Sequence, residues 1–294
     1  MINSGSSFLR CVEILLKPVR DNNCSFVDDI ATLGDSWEKH CKNYRAFLNE
    51  VRQSGLTLNL QKCEFAKPQI KFVGRIVGSG KHSPDPDKIA AVQSIKQPRT
   101  KSDVRRIIGW FSYFRAYIPH LAEYTRLLSE LLRKDKPNKI AWTEREENAL
   151  SILKHIVTQS VENSLASITF GKEFILHVDA SNFCCGACLT QLVDGKEAPV
   201  AFASSKFTTT QQKYAAVERE AAAVIWALNK FHTWIFGAPI TIYSDSNPLS
   251  YLTTAAPKSA KLTRWALAIS AFNPTFKYRK GSKQIVPDLL SRLE

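Results

Sequence analysis

Apolar and polar positions divide the chain into stretches of helical and of extended spacing. Phe8, Val12, Leu15 and Leu16 recur at helical intervals within 4–18. Residues 24–30 read as an apolar strand broken by two adjacent acids, Asp28 and Asp29. Neighbours on a strand point to opposite faces, so only one of the pair would serve as a direct ligand. A polar helix over 36–54 stops at Gly55, and 56–60 alternates as a strand. Residues 72–77, followed by Gly78-Ser79-Gly80, predict a hairpin with a glycine-rich tip. Pro84 and Pro86 mark a boundary. Helices follow over 87–97 and 102–117, Pro119 ends the second, and another runs to about Arg133. Residues 134–138 form a linker. Thr143-Glu144-Arg145-Glu146 is a capping box that opens a helix carrying Leu150, Leu153 and Val157.

From 172 onward the predicted order is strand (to 181), strand (187–191), strand (200–203), helix (211–235), strand (239–245), helix (258–270), strand (275–278) and helix (287–293). The fold class is therefore mixed α/β. Asp179 closes the first of these strands, and a carboxylate at the end of an apolar strand is costly unless paired or metal-bound. Asp245 ends a later strand, Asp288 opens the last helix, and the 211–235 helix carries Glu218 and Glu220. Carboxylates gathered in one place repel one another, and divalent cations with a taste for hard oxygen ligands cancel that repulsion. Such a set is a candidate two-metal centre for cutting a phosphodiester. The apolar face of the helix is Val217, Ala221, Val224, Ile225, Leu228 and Phe231. Glu218 and Glu220 lie about equally far from its centre, on opposite sides, so periodicity does not choose between them.

Charge sharpens the picture. The 294 residues include 40 Lys plus Arg against 27 Asp plus Glu, a net +13. Residues 171–294 hold 14 basic and 9 acidic side chains, so the excess is spread over the whole chain. This pattern favours a nucleic-acid partner over plain solubility charge. Lys101, Arg105, Arg106 and Arg115 interleave with Trp110, Phe111, Tyr113, Phe114 and Tyr117. Rings and cations together suit a nucleic-acid surface, although most of these rings are expected in the core. The seven Cys are odd in number and scattered, which points to reduced thiols in an intracellular protein. Cys185-x-x-Cys188 has no second pair, so it reads as small apolar residues of a strand rather than a zinc site. There is no membrane-spanning run, and Arg10 and Glu13 interrupt the apolar stretch a signal peptide would need.

The order of motifs resembles the pol polyprotein of gypsy-type long-terminal-repeat retrotransposons: the later part of reverse transcriptase followed by ribonuclease H. Asn3-Ser4-Gly5-Ser6-Ser7-Phe8-x-Arg10 resembles a palm helix. Phe26-Val27-Asp28-Asp29 resembles the polymerase's aromatic-x-Asp-Asp turn, and 55–65, with Lys62, the next palm segment. Phe72-Val73-Gly74 is similar to the hairpin that grips the primer. Asp85-Pro86-x-Lys88-Ile89 and 109–119 resemble the thumb. Val178-Asp179-Ala180-Ser181, Glu218-Arg219-Glu220, Asp245-x-x-Pro248-Leu249 and Pro287-Asp288-x-Leu290-Ser291-Arg292 resemble ribonuclease H. The resemblance implies palm at 1–80, helical thumb at 81–136, connection at 137–170 and a ribonuclease H-like mixed-sheet domain at 171–294. It selects Glu220, which opens a Glu-x-x-Ala segment, and so implies a quartet of Asp179, Glu220, Asp245 and Asp288 holding two Mg²⁺, with Mn²⁺ as a substitute. Asp28 would be the better metal ligand of the polymerase remnant Asp28, Asp29 and Lys62. Phe72, Gly74, Arg105, Arg106, Arg115, Arg279 and Lys280 would contact nucleic acid.

Several departures matter. A polymerase of this family needs a third palm Asp and fingers, both expected before residue 1, so these 294 residues alone are not expected to polymerise. Met1, the one Met, reads as an internal residue taken as a start. Phe26 replaces a Tyr, Cys184 a Gly, and Ser246 a His, while Arg279 sits where retroviral enzymes carry a helper His. The expected activity is hydrolysis of RNA in RNA–DNA hybrids, with RNA-directed DNA polymerase activity only in the full-length parent. The alternative is a catalytically silent nucleic-acid-binding relic. Expected partners are RNA–DNA hybrid, primer-template and the missing palm and fingers, with no membrane and dimerisation left open. The expected location is the cytoplasm, in virus-like particles, with the nucleus as a second site.

Overall fold

A computed structural model describes residues 4–162, 164–244 and 260–278; the chain forms two compact units, 1–79 and 80–294. Four predicted site residues, Asp245, Arg279, Lys280 and Asp288, and the predicted 287–293 helix lie outside the described residues.

The first unit holds helices α1 (Ser4–Leu16) and α2 (Trp37–Ser54) and two hairpins. Val12, Leu15 and Leu16 of α1 meet Phe47 and Val51 of α2, the apolar stripes that helical spacing creates. Ser36 caps α2, its Oγ accepting from Lys39 N at 3.2 Å, and Gly55, at φ 72°, closes it. The predicted 24–30 strand is instead a hairpin, β1 (Asn23–Phe26) and β2 (Asp29–Thr32), turning at Val27-Asp28 with Val27 at φ 55°.

One expectation is corrected. Residues 56–60 do not form a strand: Leu56 and Leu60 are exposed, and Asn59 instead caps a 3-10 turn, Leu60–Lys62. Alternation makes a strand only where a partner strand and a buried face exist. The second hairpin, β3 (Gln69–Phe72) and β4 (Arg75–Gly78), turns at Val73-Gly74, both at positive φ, and the predicted glycine-rich stretch makes a further turn directly after β4, at Ser79-Gly80, again both at positive φ. Gly78 serves another purpose. It sits at φ 149°, and a Cβ there would run into the Pro68 carbonyl oxygen.

The second unit begins with β5 (Lys81–Pro84), which pairs antiparallel with β6 (Leu165–Ala166), a two-residue strand too short to leave a sequence signal. Between them lie α3 (Pro86–Gln93), α4 (Lys101–Tyr113), α5 (Leu121–Glu130) and α6 (Glu144–Glu162). Thr143 N donates to Glu146 Oε2 at 3.0 Å, so the predicted box opens α6. Phe111 and Phe114 are fully buried with Val104, Leu128, Leu150, Leu153 and Val157.

A five-stranded sheet follows, ordered β11-β10-β7-β8-β9. Its members are β7 (Phe174–Ala180), β8 (Cys184–Val193), β9 (Lys196–Lys206), β10 (Ile240–Ser244) and β11 (Thr275–Tyr278). β7, β8 and β9 form an antiparallel meander, and β10 and β11 run parallel to β7. The predicted 211–235 helix is two pieces, α7 (Thr209–Gln212) and α8 (Ala216–Ile235); α9 is Ala260–Ser270. Phe174, Leu176 and Val178 of β7 pack against Ala221, Val224, Leu228 and Phe231 of α8. The other face meets the helical segment: Phe202 N donates to Ala116 O at 2.9 Å and Ala122 N to Ser204 Oγ at 2.8 Å. No helix among the described residues is long and apolar enough to cross a membrane.

Cys11 and Cys24 are exposed, whereas Cys184, Cys185 and Cys188 are buried in the sheet. Burial raises the Cys184 thiol to about 11 and, with Cys184 beside it, Cys185 to about 12. N-ethylmaleimide at pH 8 should therefore label Cys11 and Cys24 and spare the three sheet thiols until urea unfolds the chain, as mass spectrometry would show. Because the folded thiols bind protons more tightly than the ordinary value of 9.0, their contribution to stability is complete below that value and is lost as pH rises toward 12. The urea midpoint should fall above pH 9, and fall less in Cys185→Ala.

Candidate active site at the end of the central strand

Strand alternation sends Leu176 and Val178 toward α8 and leaves His177 and Asp179 on the opposite parity. Asp179 is half-buried near the end of β7, opposite Gly186; the next pair is Ala180 with Cys185. Glu220 lies on the second turn of α8 and is 8% exposed. Its charge reaches Cys185, adding to the rise of that thiol, so Glu220 stands at the same end of the sheet as Asp179.

Glu218 is placed differently. It stands in the first turn of α8, accepting from Ala215 N at 3.4 Å and from Lys261 Nζ of α9 at 3.2 Å. Lys261 in turn sits over the rings of Tyr214, at 3.5 Å, and Trp265, at 4.5 Å. The structure thus separates two acids that periodicity left equivalent: one turns inward, the other ties α8 to α9. Among the described residues, no three His, Cys, Asp or Glu side chains gather as a metal site.

The loop after Asp179 is held from two sides. Ser181 Oγ accepts from Cys184 N at 3.0 Å and Phe183 N at 3.3 Å, which closes the turn. Arg219, next to Glu220, donates to Asn182 Oδ1 and to the Tyr214 carbonyl, both at 2.8 Å. From the helical segment, Arg126 of α5 lies 4.7 Å over the Phe183 ring.

Beneath Asp179, on the face away from α8, is a small cavity lined by Pro119, His120, His177, Asp179, Gly186 and Phe202. His120 adopts a left-handed backbone, φ 51°, and a Cβ on Gly186 would stand 3.1 Å from its Nδ1. His177 is buried; its Nε2 bonds Glu197 Oε1 and its ring stacks on Tyr243 at 5.2 Å. Glu197 also accepts from Thr190 Oγ1 at 2.7 Å. Sequence reasoning did not reach His120, His177, Glu197 or Arg219. Their partners lie on other elements, and only His177 left a signal, its shared parity with Asp179.

The remaining predicted residues are dispersed. Asp28 is at the β1–β2 turn and Asp29 opens β2, both exposed, and Lys62 is exposed at the end of the 3-10 turn. Phe72 is half-buried before the β3–β4 turn, and Gly74 is in it. Arg105, Arg106 and Arg115 are exposed, and Arg106 Nη2 meets Asp103 Oδ1 at 2.7 Å. Lys101 instead holds the backbone of the 133–136 segment, donating to the Arg133 and Lys136 carbonyls at 2.6 Å. Of the five interleaved rings, Phe111, Phe114 and Tyr117 are core; Trp110 and Tyr113 are exposed, Tyr113 with Lys88 4.4 Å over its ring.

Residues 1–77 match the family model described as reverse transcriptase (RNA-dependent DNA polymerase). Residues 169–272 match that of the RNase H-like domain found in reverse transcriptase. The fold is similar to that of foamy viral protease-reverse transcriptase. In the structure with dsDNA the TM-score is 0.81 at 24% identity, covering 96% of this chain and 59% of that one. In the structure with RNA/DNA hybrid it is 0.77 at 22% identity, covering 95% and 38%. The chain thus carries reverse transcriptase and ribonuclease H-like domains. Among curated proteins it is 31% identical over 99% of its length to the retrovirus-related Pol polyprotein from transposon opus of Drosophila melanogaster, spanning 30% of that polyprotein. It is 32% identical over 98% of its length to that from transposon 412 of the same fly, spanning 23%. It is 31% identical over 91% of its length to the transposon Tf2-3 polyprotein of Schizosaccharomyces pombe, spanning 20%. The chain belongs to the family of retrovirus-related Pol polyproteins of gypsy-type long-terminal-repeat retrotransposons.

The buried His177–Glu197 contact predicts a stability effect. Glu197→Ala strips the imidazole and Thr190 of their shared acceptor and should cost about 1–3 kcal/mol, read as a lowered urea midpoint, whereas Glu197→Gln should lose less.

Proposed function

We propose that residues 171–294 hydrolyse the RNA strand of RNA–DNA hybrids in a divalent-metal-dependent reaction, with Asp179, Glu220, Asp245 and Asp288 as the ligand set. The observation that carries the proposal is the inward, buried Glu220 on the helix packed against the strand that ends in Asp179, within a span matching the RNase H-like family. Carboxylate oxygens are hard ligands that suit Mg²⁺, so the described donors fit such an ion. When bound, two Mg²⁺ ions supply a water acidic enough to attack and positive charge for the leaving 3′ oxygen, with Mn²⁺ as a substitute. Asp179 and Glu220 would hold the ions. Asp245 and Asp288 complete the set, and the 2′-hydroxyl distinguishes RNA from DNA.

The partner is an RNA–DNA hybrid or primer-template. The net charge of +13 and the nucleic-acid complexes of the foamy viral relatives support this reading. Arg105, Arg106 and Arg115, together with Arg279 and Lys280, contact the phosphate backbone, and Phe72 and Gly74 contact the primer. In the full-length polyprotein, Asp28, Asp29 and Lys62 belong to the polymerase site, with Asp28 as its metal ligand.

The test is cleavage of a hybrid labelled on either strand. RNA alone should be cut, only with Mg²⁺ or Mn²⁺, and duplex DNA should survive. Asp179→Asn and Glu220→Gln should lower the rate at least 100-fold, whereas Glu218→Gln should keep most of it. Glu218→Gln inert beside an active Glu220→Gln would sink the assignment, and an inert wild type would leave a binding relic. Hybrid affinity should also fall steeply between 50 and roughly 200 mM salt through counterion release. Fluorescence anisotropy that is indifferent to salt would reduce the basic excess to solubility charge.

A further inference from the structure

We infer that Arg219 is a positioning residue: it fixes the Asp179 loop against the start of α8 and thereby sets the affinity of the acidic site for its divalent cation. This rests on the ribonuclease H reading for the identity of the site, but the tie itself is visible in the geometry. One guanidinium spans two segments, with Nη2 on Asn182 Oδ1 and Nη1 on the Tyr214 carbonyl, each at 2.8 Å. Asn182 is three residues after Asp179 on a loop already closed by Ser181. Tyr214 is two residues before α8 begins, and Arg219 itself adjoins Glu220. A helix is stiff over one turn, so where Arg219 is anchored, Glu220 is anchored too. The planar fork of an arginine sets both distances at once, which a lysine cannot do.

Two further observations point the same way. α8 starts on Ala215, which offers no capping side chain, so the Arg219–Tyr214 bond does part of the work of ordering this helix start. And Arg219 Nε is buried without a hydrogen-bond partner among the described residues. Leaving a buried guanidinium N–H unmet is costly, and positions that break a local rule are expected where function asks for it. Asp179 and Glu220 carry like charges, so an untied loop and helix would drift apart in the absence of a cation. The tie opposes that drift.

The test uses the full chain and Mg²⁺ alone as the probe. Thermal unfolding across a Mg²⁺ titration gives an apparent Kd for wild type, Arg219→Lys, Asn182→Ala and the double variant. Asn182→Ala should keep its metal-free midpoint, Arg219→Lys, which also loses the Tyr214 bond, should lower it, and each should weaken Mg²⁺ about tenfold, within the range for outer-shell partners. The double variant should be no weaker than Arg219→Lys, because that variant already lacks the bond that Asn182→Ala removes. The Mg²⁺ dependence of hybrid cleavage should shift in parallel. Asn182→Ala changes only an exposed loop residue, so it carries the test if Arg219→Lys folds poorly. Titrations that superimpose on wild type, losses that multiply in the double variant, or a lowered metal-free midpoint with unchanged Mg²⁺ affinity each overturn the inference. So does a wild type that Mg²⁺ does not stabilise. A wild type that Mg²⁺ stabilises but that leaves the hybrid intact overturns the ribonuclease reading alone, and the shift in Kd then still supports the tie.

Discussion

The packing of α8 on the central strand β7 is the constraint on which the proposed site depends. Phe174, Leu176 and Val178 bury completely against Ala221, Val224, Leu228 and Phe231. Burying side chains of this size is worth about 1.5–3 kcal/mol each, so the register of helix on strand is held by many such contacts rather than by any polar one. Once it is fixed, period two on the strand and 3.6 on the helix dictate the rest. Asp179 must fall at the strand's end on the far parity, and Glu220 must face inward near Cys185. Polar groups refine a spacing that apolar packing has already imposed.

The helical segment is built into the same body. Ala116 continues the hydrogen bonding of β9 through Phe202, Ala122 bonds Ser204, and Lys206 reaches the Thr125 carbonyl at 3.1 Å and Ser129 Oγ at 2.6 Å. The β9 edge, which would otherwise present unpaired backbone groups, is covered. His120 uses a left-handed backbone to stand over Gly186, directly across from Asp179 in the register. A segment that reads in sequence as basic and aromatic is, in the structure, mainly a buttress for the sheet, with its basic side chains left outside.

What could be read from sequence was whatever is decided locally. Gly55 closing α2 and Thr143 opening α6 depend on residues within one turn, and both hold. The 56–60 alternation failed because a strand is a relation between two segments, and the second is missing. The 72–80 stretch reverses twice: the glycine-rich turn at Ser79-Gly80 is the one the sequence marks, and the turn at Val73-Gly74 shows only in the pairing of β3 with β4. Glu218 and Glu220 could not be told apart by periodicity. The group that separates them, Lys261, lies on α9, more than a full helix further along the chain. Asp245 and Asp288 fall outside the described residues.

Charge and site then make one electrostatic argument. The chain carries +13 spread along its length, which draws in a polyanion from any direction without choosing a place. The acids at the end of β7 do the reverse, since bare carboxylates repel a phosphate backbone. On the proposed reading, cations would offset that local repulsion where the phosphate arrives. In the proposed function the basic surface would govern how tightly the polymer is held, and the cation whether it is cut. On this view affinity should follow monovalent salt and turnover should follow divalent metal, through different residues, and a single substitution should rarely move both.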